Sequence, residues 1–263
     1  MPGPWVITPA PFGSIHTFTA PEHGWCVTSH VIELPSQLIV VDAQYTLPLA
    51  GEVVDYSNDL KKPISRLYIT HYHPDHLLGA AAFYAPAHAL RVVADKIAAA
   101  GDRIAREEHE RVGNDIPDRA RKIDVPIDEG EEIVDGVRIV YRHLRHSETE
   151  DALTIELPDA RAIIVQDLVY NCAHVFLGER RFENWRAALT EYRTLPFTTV
   201  LPGHGVLGGP ELYDRMGDYL DFAETALAAS ADRTDFKRRL LERFPDHGAR
   251  KIVDHQMRFL FPA

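Results

Sequence analysis

Three histidines and one aspartate lie within six residues in the segment Thr-His-Tyr-His-Pro-Asp-His at positions 70–76. The four candidate ligands are His71, His73, Asp75 and His76. Neutral imidazole nitrogens and carboxylate oxygens are groups that zinc, iron and manganese accept as ligands in proteins. An ordinary surface loop would account for one histidine, but not for three beside an aspartate at this spacing. The segment therefore predicts a metal site.

The neighbouring sequence places this segment on a loop between a strand and a helix. Residues 64–70 form a short apolar run with β-branched and aromatic side chains, which predicts a buried strand. Residues 75–83 predict the first turns of a helix. Alternate side chains of an extended segment share a face, so His71 and His73 can converge on one point. The aspartate and the last histidine open the helix and point to a second, nearby point.

Further candidate ligands follow predicted strands elsewhere in the chain. Asp167 follows the apolar run 162–165, and His204 follows the run 199–201 within Leu-Pro-Gly-His-Gly. The glycines on both sides of His204 allow a tight turn that brings its imidazole into a crowded site. Each group ends a strand, so we expect both at the same sheet edge as the first segment. Asp42 also ends an apolar run, and it is either a turn former or a hydrogen-bond partner of a metal-binding histidine.

Strands and helices alternate along the chain in two successive sets. The first set comprises strands within 5–45, a helix at 48–60, strands at 64–70 and 90–94, and a helix that Asp95 caps from Lys96 onward. The second set comprises strands within 122–166, a helix at 185–194, a strand at 198–201 and a helix at 211–229, before a helical tail. Two such halves stack as an α/β fold, an αββα four-layer sandwich. We predict a single domain over residues 1–263.

Charge and composition narrow the range of partners. The formal net charge of −11 and the sequence pI of about 5.7 argue against a nucleic-acid partner, because such proteins usually carry a basic stripe. No apolar run approaches the roughly 20 residues of a membrane helix, and no secretory signal is apparent. Cys26 and Cys172 have no metal-like spacing, which indicates free thiols in a reducing cytosol. We expect a cytoplasmic protein with a small-molecule substrate, no nucleic-acid or membrane partner, and a homodimer as an open option.

The candidate ligands resemble the pattern of metallo-β-lactamase-fold hydrolases. The matching positions follow the family's order and span most of the chain: His71, His73, Asp75, His76, Asp167 and His204. The resemblance implies an αββα sandwich with a dinuclear site between the two sheets. It implies that the first ion is bound by His71 and His73, the second by Asp75, His76 and His204, and that Asp167 bridges both.

One ligand position departs from the family pattern. The family usually supplies another histidine in a Gly-His-Thr-Pro-Gly-like turn, whereas residues 145–151 read Arg-His-Ser-Glu-Thr-Glu-Asp. Glu148 lies 19 positions before Asp167, which is the separation expected from the family's layout, and we favour it as the ligand. His146 lies two residues earlier, on the same side of an extended strand, and is the alternative. If neither binds, the first site is weak and the enzyme is mononuclear.

The resemblance implies a hydrolase that uses zinc, with two ions per chain expected and iron or manganese as alternatives. A bound divalent ion can lower the pKa of water to roughly 7, so we expect a metal-bound hydroxide to attack a carbonyl group. Asp75 or Asp167 would then relay a proton. The expected substrate is a small ester, lactone or thioester, with a lactam as a further option. Esters and lactones have most weight, because His76 completes the family's non-lactamase type of motif.

Three other functions compete with this hypothesis. The same fold can host a mononuclear iron dioxygenase that oxidises a persulfide, and one equivalent of iron would favour it. A phosphodiesterase or nuclease is disfavoured by the acidic balance of the chain. A binding protein with a structural zinc is disfavoured because the ligand set leaves an open coordination position.

The segment after Asp167 provides the candidate substrate contacts. It should border the cleft because it follows a ligand directly, and Tyr170, Asn171 and His174 could hydrogen-bond an oxyanion or a substrate tail. The alternative is that Tyr170 packs in the core and His174 closes a loop. Tyr72 lies between two ligands and is expected to face away from them, in a structural role.

Overall fold

Two mixed sheets stack on each other in the computed structural model, which describes residues 5–262. Apolar side chains from both sheets join one continuous buried core. Within the described residues no helix has the length and apolar composition needed to cross a bilayer. The prediction of one domain over residues 1–263 stays a prediction, since residues 1–4 and 263 lie outside the described range.

The first sheet contains seven strands in chain order. They are β1 (Trp5–Ala10), β2 (Gly13–Thr19), β3 (Thr28–Glu33), β4 (Leu38–Val41), β5 (Ile64–Tyr68), β6 (Ala87–Leu90) and β7 (Val125–Ile127). Strands β1 to β4 pair antiparallel, and β4 to β7 pair parallel. All four residues of β4 are buried, which explains why it is a continuous apolar run rather than an alternating one.

The second sheet contains five strands in the order β12-β11-β10-β9-β8. They are β8 (Gly130–Val134), β9 (Val137–Arg145), β10 (Asp151–Leu157), β11 (Ala162–Asn171) and β12 (Thr199–Gly205). Only the β11–β12 pair is parallel among these described strands. Every residue of β10 and β11 is buried, because both strands lie in the interior of the sheet.

Seven α-helices are present among residues 5–262. They are α1 (Leu47–Asp59), α2 (Pro74–Leu77), α3 (Arg91–Val112), α4 (Phe182–Arg193), α5 (Glu211–Ala229), α6 (Arg233–Arg243) and α7 (Arg250–Leu260). Helix α3 packs on β6 and β7 of the first sheet, and α4 and α5 pack on β11 of the second. The predicted α/β class and αββα sandwich are confirmed.

The prediction of a strand at 90–94 is wrong. Strand β6 ends at Leu90 and α3 begins at Arg91, with Leu90 rather than Asp95 at the N-cap position. The two valines at 92 and 93 suggested a strand, but Val93 and Ile97 are buried on one helix face, four residues apart. The helical period of the longer segment therefore decides its structure.

Most of the candidate ligands lie just after β5 and within the last residues of β11 and β12. Strand β5 ends at Tyr68, and α2 begins at Pro74 after the loop that carries the first two histidines. Strand β11 runs beyond Asp167, but its pairing with β12 shifts register at Gln166, which has a left-handed φ of 47°. Such irregularities re-aim side chains beside functional sites. Asp167, the residue after this irregularity, lies next to the loop that carries His71 and His73.

Candidate metal centre

The first cluster consists of His71, His73, Glu148 and Asp167. One ligand atom from each residue lies within 4.8 Å of those of the other three. His73 Nδ1 is 3.2 Å from Glu148 Oε1, and His71 Nε2 is 3.6 Å from Asp167 Oδ2. Both carboxylates and His71 are buried, while the His73 side chain is 12% exposed and faces a cavity. The sequence prediction that His71 and His73 converge on one point agrees with this geometry.

The second cluster consists of Asp75, His76 and His204, whose ligand atoms also lie within 4.8 Å of one another. His204 Nε2 is 3.2 Å from Asp75 Oδ2 and 3.4 Å from His76 Nε2. All three residues are buried. The parallel pairing of β11 and β12 brings His204 to this edge, beside Tyr170.

Asp167 lies between the two clusters. Its Oδ1 is 3.1 Å from His76 Nε2, and its Oδ2 is 3.5 Å from His204 Nε2 and 3.6 Å from His71 Nε2. One carboxylate thus faces imidazoles of both clusters. This is the placement that a bridging ligand requires.

The outer nitrogens of two histidines are held by fixed partners. His76 Nδ1 lies 2.8 Å from Asp42 Oδ2, and Asp42 also accepts hydrogen bonds from the Thr70 amide and hydroxyl, each at 2.8 Å. His204 Nδ1 is 2.8 Å from the Trp25 carbonyl oxygen. With Nδ1 occupied, Nε2 of each ring is directed into the cluster, as in many metal sites. Of the two roles considered for Asp42, the geometry thus favours that of a hydrogen-bond partner of a candidate ligand over that of a turn former.

Opposing charges shift the pKa values of the buried groups. Burial disfavours the charged form of His204, but Asp167 and Asp75 raise its pKa to about 9. Burial likewise opposes ionisation of Asp167, but His76 and His204 hold its pKa well below its usual range. Burial raises the pKa of Glu148 to about 7, against the attraction of His73. Positive charge is therefore strongly favoured among these carboxylates.

Several buried ligand atoms lack a hydrogen-bond partner. Among the described residues these are His71 Nε2, Asp167 Oδ1 and both carboxylate oxygens of Glu148. Glu148 Oε1 is close to His73 Nδ1, but without hydrogen-bond geometry. Each unpartnered buried polar atom costs about 1–3 kcal/mol, so such atoms rarely gather at one point without a ligand. Their nitrogen and oxygen donors fit a divalent cation of the zinc type.

Two glycines make room for His204. A Cβ atom on Gly203 would overlap Asp167 Oδ1, and one on Gly205 would overlap the Asn171 carbonyl oxygen. Gly205 also has a left-handed φ of 84°. The glycines are thus required by close approach of the backbone to the cluster, as the sequence predicted.

A cavity of about 460 Å³ opens onto the clusters. Its floor includes His73, Asp75 and Asp167, and its walls include Trp25 and Phe176. Helix α7 closes one side with Ile252, His255 and Phe259. A larger groove of about 790 Å³ lies beside His143 and contains no cluster residue, so the smaller cavity is the candidate substrate site.

The sequence profile of the "Metallo-beta-lactamase superfamily" matches residues 26–204. The chain belongs to the metallo-β-lactamase superfamily. The match covers more than half of the chain and includes every residue of both clusters. The predicted family is therefore confirmed. The family assignment also supports the coarser prediction of a metal-binding hydrolase.

Solved structures of the superfamily share the fold at low sequence identity. A metallo-beta-lactamase from Pontibacter korlensis is 19% identical with a TM-score of 0.63, and covers 82% of this chain and 99% of its own. The FIM-1 enzyme of Pseudomonas aeruginosa, in a mono-zinc form, is 21% identical with a TM-score of 0.58, over 83% and 95%.

A curated relative extends well beyond this chain. The linear primary-alkylsulfatase of Pseudomonas sp. (strain ATCC 19151) is 23% identical over an alignment of 245 positions, which covers 78% of this chain and 46% of the relative. The chain thus spans about half the length of that relative.

Glu148, the mid-chain ligand favoured by sequence spacing, lies in the first cluster with His71, His73 and Asp167. His146, the alternative, is not brought to either cluster: its side chain is exposed and its Nδ1 lies 3.4 Å from Arg181. Strand β9 ends at Arg145, and His146 has a left-handed φ of 55°. The segment is a turn rather than an extended strand, so a spacing of two does not place His146 on the side of Glu148.

Of the predicted substrate contacts, only Tyr170 lines the cavity of about 460 Å³. Its hydroxyl donates to Asp167 Oδ2 at 2.6 Å, and its ring stacks on His204 at 4.3 Å. Asn171 donates instead to the Val206 carbonyl oxygen, because alternation along β11 turns it away. His174 is buried against the Tyr219 hydroxyl at 3.0 Å and does not line the cavity.

Sequence reasoning missed several cavity residues. Tyr72 lines the cavity and donates to Glu179 Oε1 at 3.0 Å, because the loop after β5 is too irregular for strict alternation. Phe176 packs its ring 5.4 Å from that of His73. The walls from α7 were also missed, although the aromatic-rich C-terminal segment was a signal that could have identified them.

Proposed function

We propose that this protein is a metal-dependent hydrolase that cleaves a small ester, lactone or thioester. The observation that carries the proposal is the pair of ligand clusters sharing Asp167 at the floor of a cavity of about 460 Å³. The fold and the family support a hydrolase, and the donor set supports zinc, with two ions per chain as the expected stoichiometry.

The ions would be held by seven side chains of the two clusters: His71, His73, Asp75, His76, Glu148, Asp167 and His204. When bound, divalent ions supply an acidified water and a Lewis acid for the substrate oxygen. The chain itself contributes orientation, through Asp42 and the Trp25 carbonyl group, and partial exclusion of water by the cavity walls.

Tyr170 and the two aspartates are the groups placed to handle protons and developing charge. Burial and the neighbouring Asp167 hold the pKa of Tyr170 well above its usual value, so its hydroxyl keeps its proton. We assign it the donation of a hydrogen bond to negative charge that develops on the substrate oxygen, for which its one proton would turn away from Asp167 Oδ2 once that carboxylate holds a cation. Asp75 and Asp167 stay ionised beside imidazoles and would accept a proton and pass it to the leaving group.

A sulfate ester is the second candidate substrate. The similarity to the linear primary-alkylsulfatase favours it, as does the apolar wall formed by Trp25, Phe176 and Ile252. The same residues would bind and orient the substrate, and the bond cleaved would join sulfur or carbon to the bridging oxygen.

Metal analysis combined with an activity panel tests the proposal. The panel contains an aryl ester, a lactone, a thioester, a β-lactam and an alkyl sulfate, and metal content is measured by mass spectrometry. We expect zinc, and ester or lactone turnover that is lost on chelation and restored by zinc. Turnover that survives complete removal of metal would overturn the proposal, and one equivalent of iron with persulfide oxidation would favour the dioxygenase.

The variant His73→Ala gives a further test. It removes one imidazole of the first cluster from a partly exposed position, so the chain should remain folded while turnover is abolished. Circular dichroism and a thermal unfolding curve control for folding. Normal turnover in a folded variant contradicts the role given to His73.

A further inference from the structure

A second cavity adjoins the candidate active site. It has a volume of about 430 Å³ and shares three lining residues with the first cavity: Trp25, His255 and Arg258. The two cavities therefore meet along α7 and the Trp25 side chain. A ligand bound at the metal clusters and long enough to pass Trp25 would enter the second cavity.

The second cavity is basic, although the chain as a whole is acidic. Its lining includes four cationic side chains and one carboxylate, namely Arg111, Arg233, Lys251, Arg258 and Asp254. The formal net charge of the chain is −11, so this concentration of positive charge is opposite in sign to the rest of the protein. A basic pocket on an acidic protein attracts anions locally.

Existing ion pairs leave part of this positive charge free. Arg111 pairs with Glu108, and Asp254 pairs with Lys237, which lies outside the cavity. Within residues 5–262, Lys251 and Arg258 form no ion pair with a carboxylate. The Arg258 guanidinium lies 4.7 Å from the centre of the Phe259 ring and 3.2 Å from His255 Nε2, at the junction of the cavities.

The carboxylates at the rim of the first cavity already have partners. Glu107 pairs with Arg103 at 2.8 Å, and Glu179 pairs with Arg181 at 2.8 Å. They therefore do not offset the charge of Arg258. Burial and Arg258 keep the pKa of His255 at about 4, so that ring is neutral at pH 7 and can accept a hydrogen bond from the guanidinium.

We propose that the basic cavity binds an anionic group of the substrate at a distance from the bond that is cleaved. The substrate is then an amphipathic anion. Its reactive ester lies beside the metal clusters, its apolar part packs on Trp25 and Phe259, and its terminal carboxylate pairs with Arg258 and Lys251. This assignment rests on the proposed function for the reactive bond and adds the substrate class.

Two measurements on the zinc-loaded protein test the assignment. The first compares KM and kcat for 4-nitrophenyl hexanoate and mono-4-nitrophenyl adipate, which differ by a terminal carboxylate. The second measures by calorimetry the binding of hexane-1-sulfonate and of 1-hexanol. A sulfonate coordinates metal ions weakly, so its affinity reports on the basic cavity even if no ester is hydrolysed.

We expect the wild-type protein to prefer the anionic member of each pair, and Arg258→Met to remove that preference. Loss of this cation at the junction of the cavities should weaken sulfonate binding, and raise KM for the adipate ester, by about three- to tenfold. Because Arg258 also lines the first cavity, the KM for the hexanoate ester is the comparison, and it should rise by less than the KM for the adipate ester. Arg258→Lys keeps the charge and should stay within about twofold of the wild type, and Lys251→Met should show a smaller loss than Arg258→Met.

Arg243→Met is the matched control. Arg243 also lies over a phenylalanine ring, 5.1 Å from the centre of Phe244, but lines neither cavity. Equal effects of Arg243→Met and Arg258→Met, equal effects on neutral and anionic ligands, or no preference for sulfonate in the wild type would each overturn the assignment. If sulfonate binding follows the expected pattern while no ester is hydrolysed, the proposed function fails and the anion site stands.

Discussion

The two clusters of the candidate metal centre are held in different ways. In the second cluster, the outer nitrogen of His76 contacts Asp42 and that of His204 contacts a backbone carbonyl group. In the first cluster, His73 lies between Glu148 and Glu179, and both Glu148 oxygens lack hydrogen-bond partners. The second cluster is therefore oriented before a cation binds, whereas the first depends on the cation to fix its carboxylate. We expect the second cluster to bind the tighter ion.

The largest effect on metal content should come from Asp167, which lies between the two clusters. Asp167→Ala removes the only described carboxylate that lies within 3.6 Å of imidazoles from both clusters, so we expect both ions to bind poorly. Turnover should fall by about 10³-fold or more, since the metal-assisted step is lost. Metal content and turnover of the folded variant are the measurements. Retention of two ions with near-normal turnover would show that the clusters are independent.

The first cluster, which we expect to bind its ion less tightly, should be sensitive to replacement of its mid-chain ligand. Glu148→Ala should lower turnover by about 10²-fold and remove one ion, since it deletes one of the two carboxylates of the first cluster. Glu148→His restores the family's usual imidazole and should retain most of the metal. His146→Ala is the control and should stay within about twofold, because that side chain is exposed. Equal losses in the Ala variants at 146 and 148 would contradict the geometry.

The orientation of His76 in the second cluster depends on Asp42. Asp42→Asn keeps the side-chain volume but removes the charge that holds His76. The variant should lower the affinity for one metal ion by about ten- to hundredfold. Competition with a chromophoric chelator measures both binding steps. The affinity of the other ion should not change. If the affinity falls equally for both ions, Asp42 does not orient the second cluster alone, and the contrast between the clusters is wrong.

Behind the second cluster, His30 should make stability depend on pH. Its ring contacts Thr17 and Thr28, and Thr28 donates to the Pro202 carbonyl oxygen near His204. Burial, with a smaller contribution from His76, lowers the pKa of His30 to about 3. The unfolded chain takes up a proton below about pH 6.5 and the folded chain does not, so stability is full above that pH and declines between about 6.5 and 3.

The expected loss from His30 is about 2 kcal/mol between about pH 7.5 and about pH 5, and His30→Gln should abolish this component. Urea unfolding of chelator-treated protein at both pH values measures it. His23→Gln, at an exposed histidine, is the control. Identical pH dependence in His30→Gln and wild-type protein would refute the assignment.

The two clusters of candidate ligands could be predicted from sequence because their geometry is largely local. Four of the candidate ligands lie within six consecutive residues, and Asp167 and His204 follow apolar runs that form buried strands. Glu148 was found by its spacing from Asp167, whereas the status of His146 depended on a turn that spacing does not reveal. The strand predicted at 90–94 failed because a five-residue window cannot show the period of a 22-residue helix.

The cavity walls could not be predicted in the same way. Trp25, Phe176 and His255 come together from distant parts of the chain, and their approach depends on how α7 packs rather than on local pattern. Tyr72 was misplaced for a related reason, since alternation holds only while the backbone stays extended. Long-range packing therefore sets the substrate site, while the ligand set follows from short segments.

Helix α7 has a consequence for how the protein is made. All cluster residues precede Gly205, whereas the α7 wall follows about 50 residues later. At about 5–20 residues per second, a ribosome releases the complete ligand set several seconds before the residues that enclose it. Until α7 packs in place, the cleft lacks the side formed by Ile252, His255 and Phe259. The α7 residues that enclose the substrate cavity are therefore synthesised after the residues that form the two clusters.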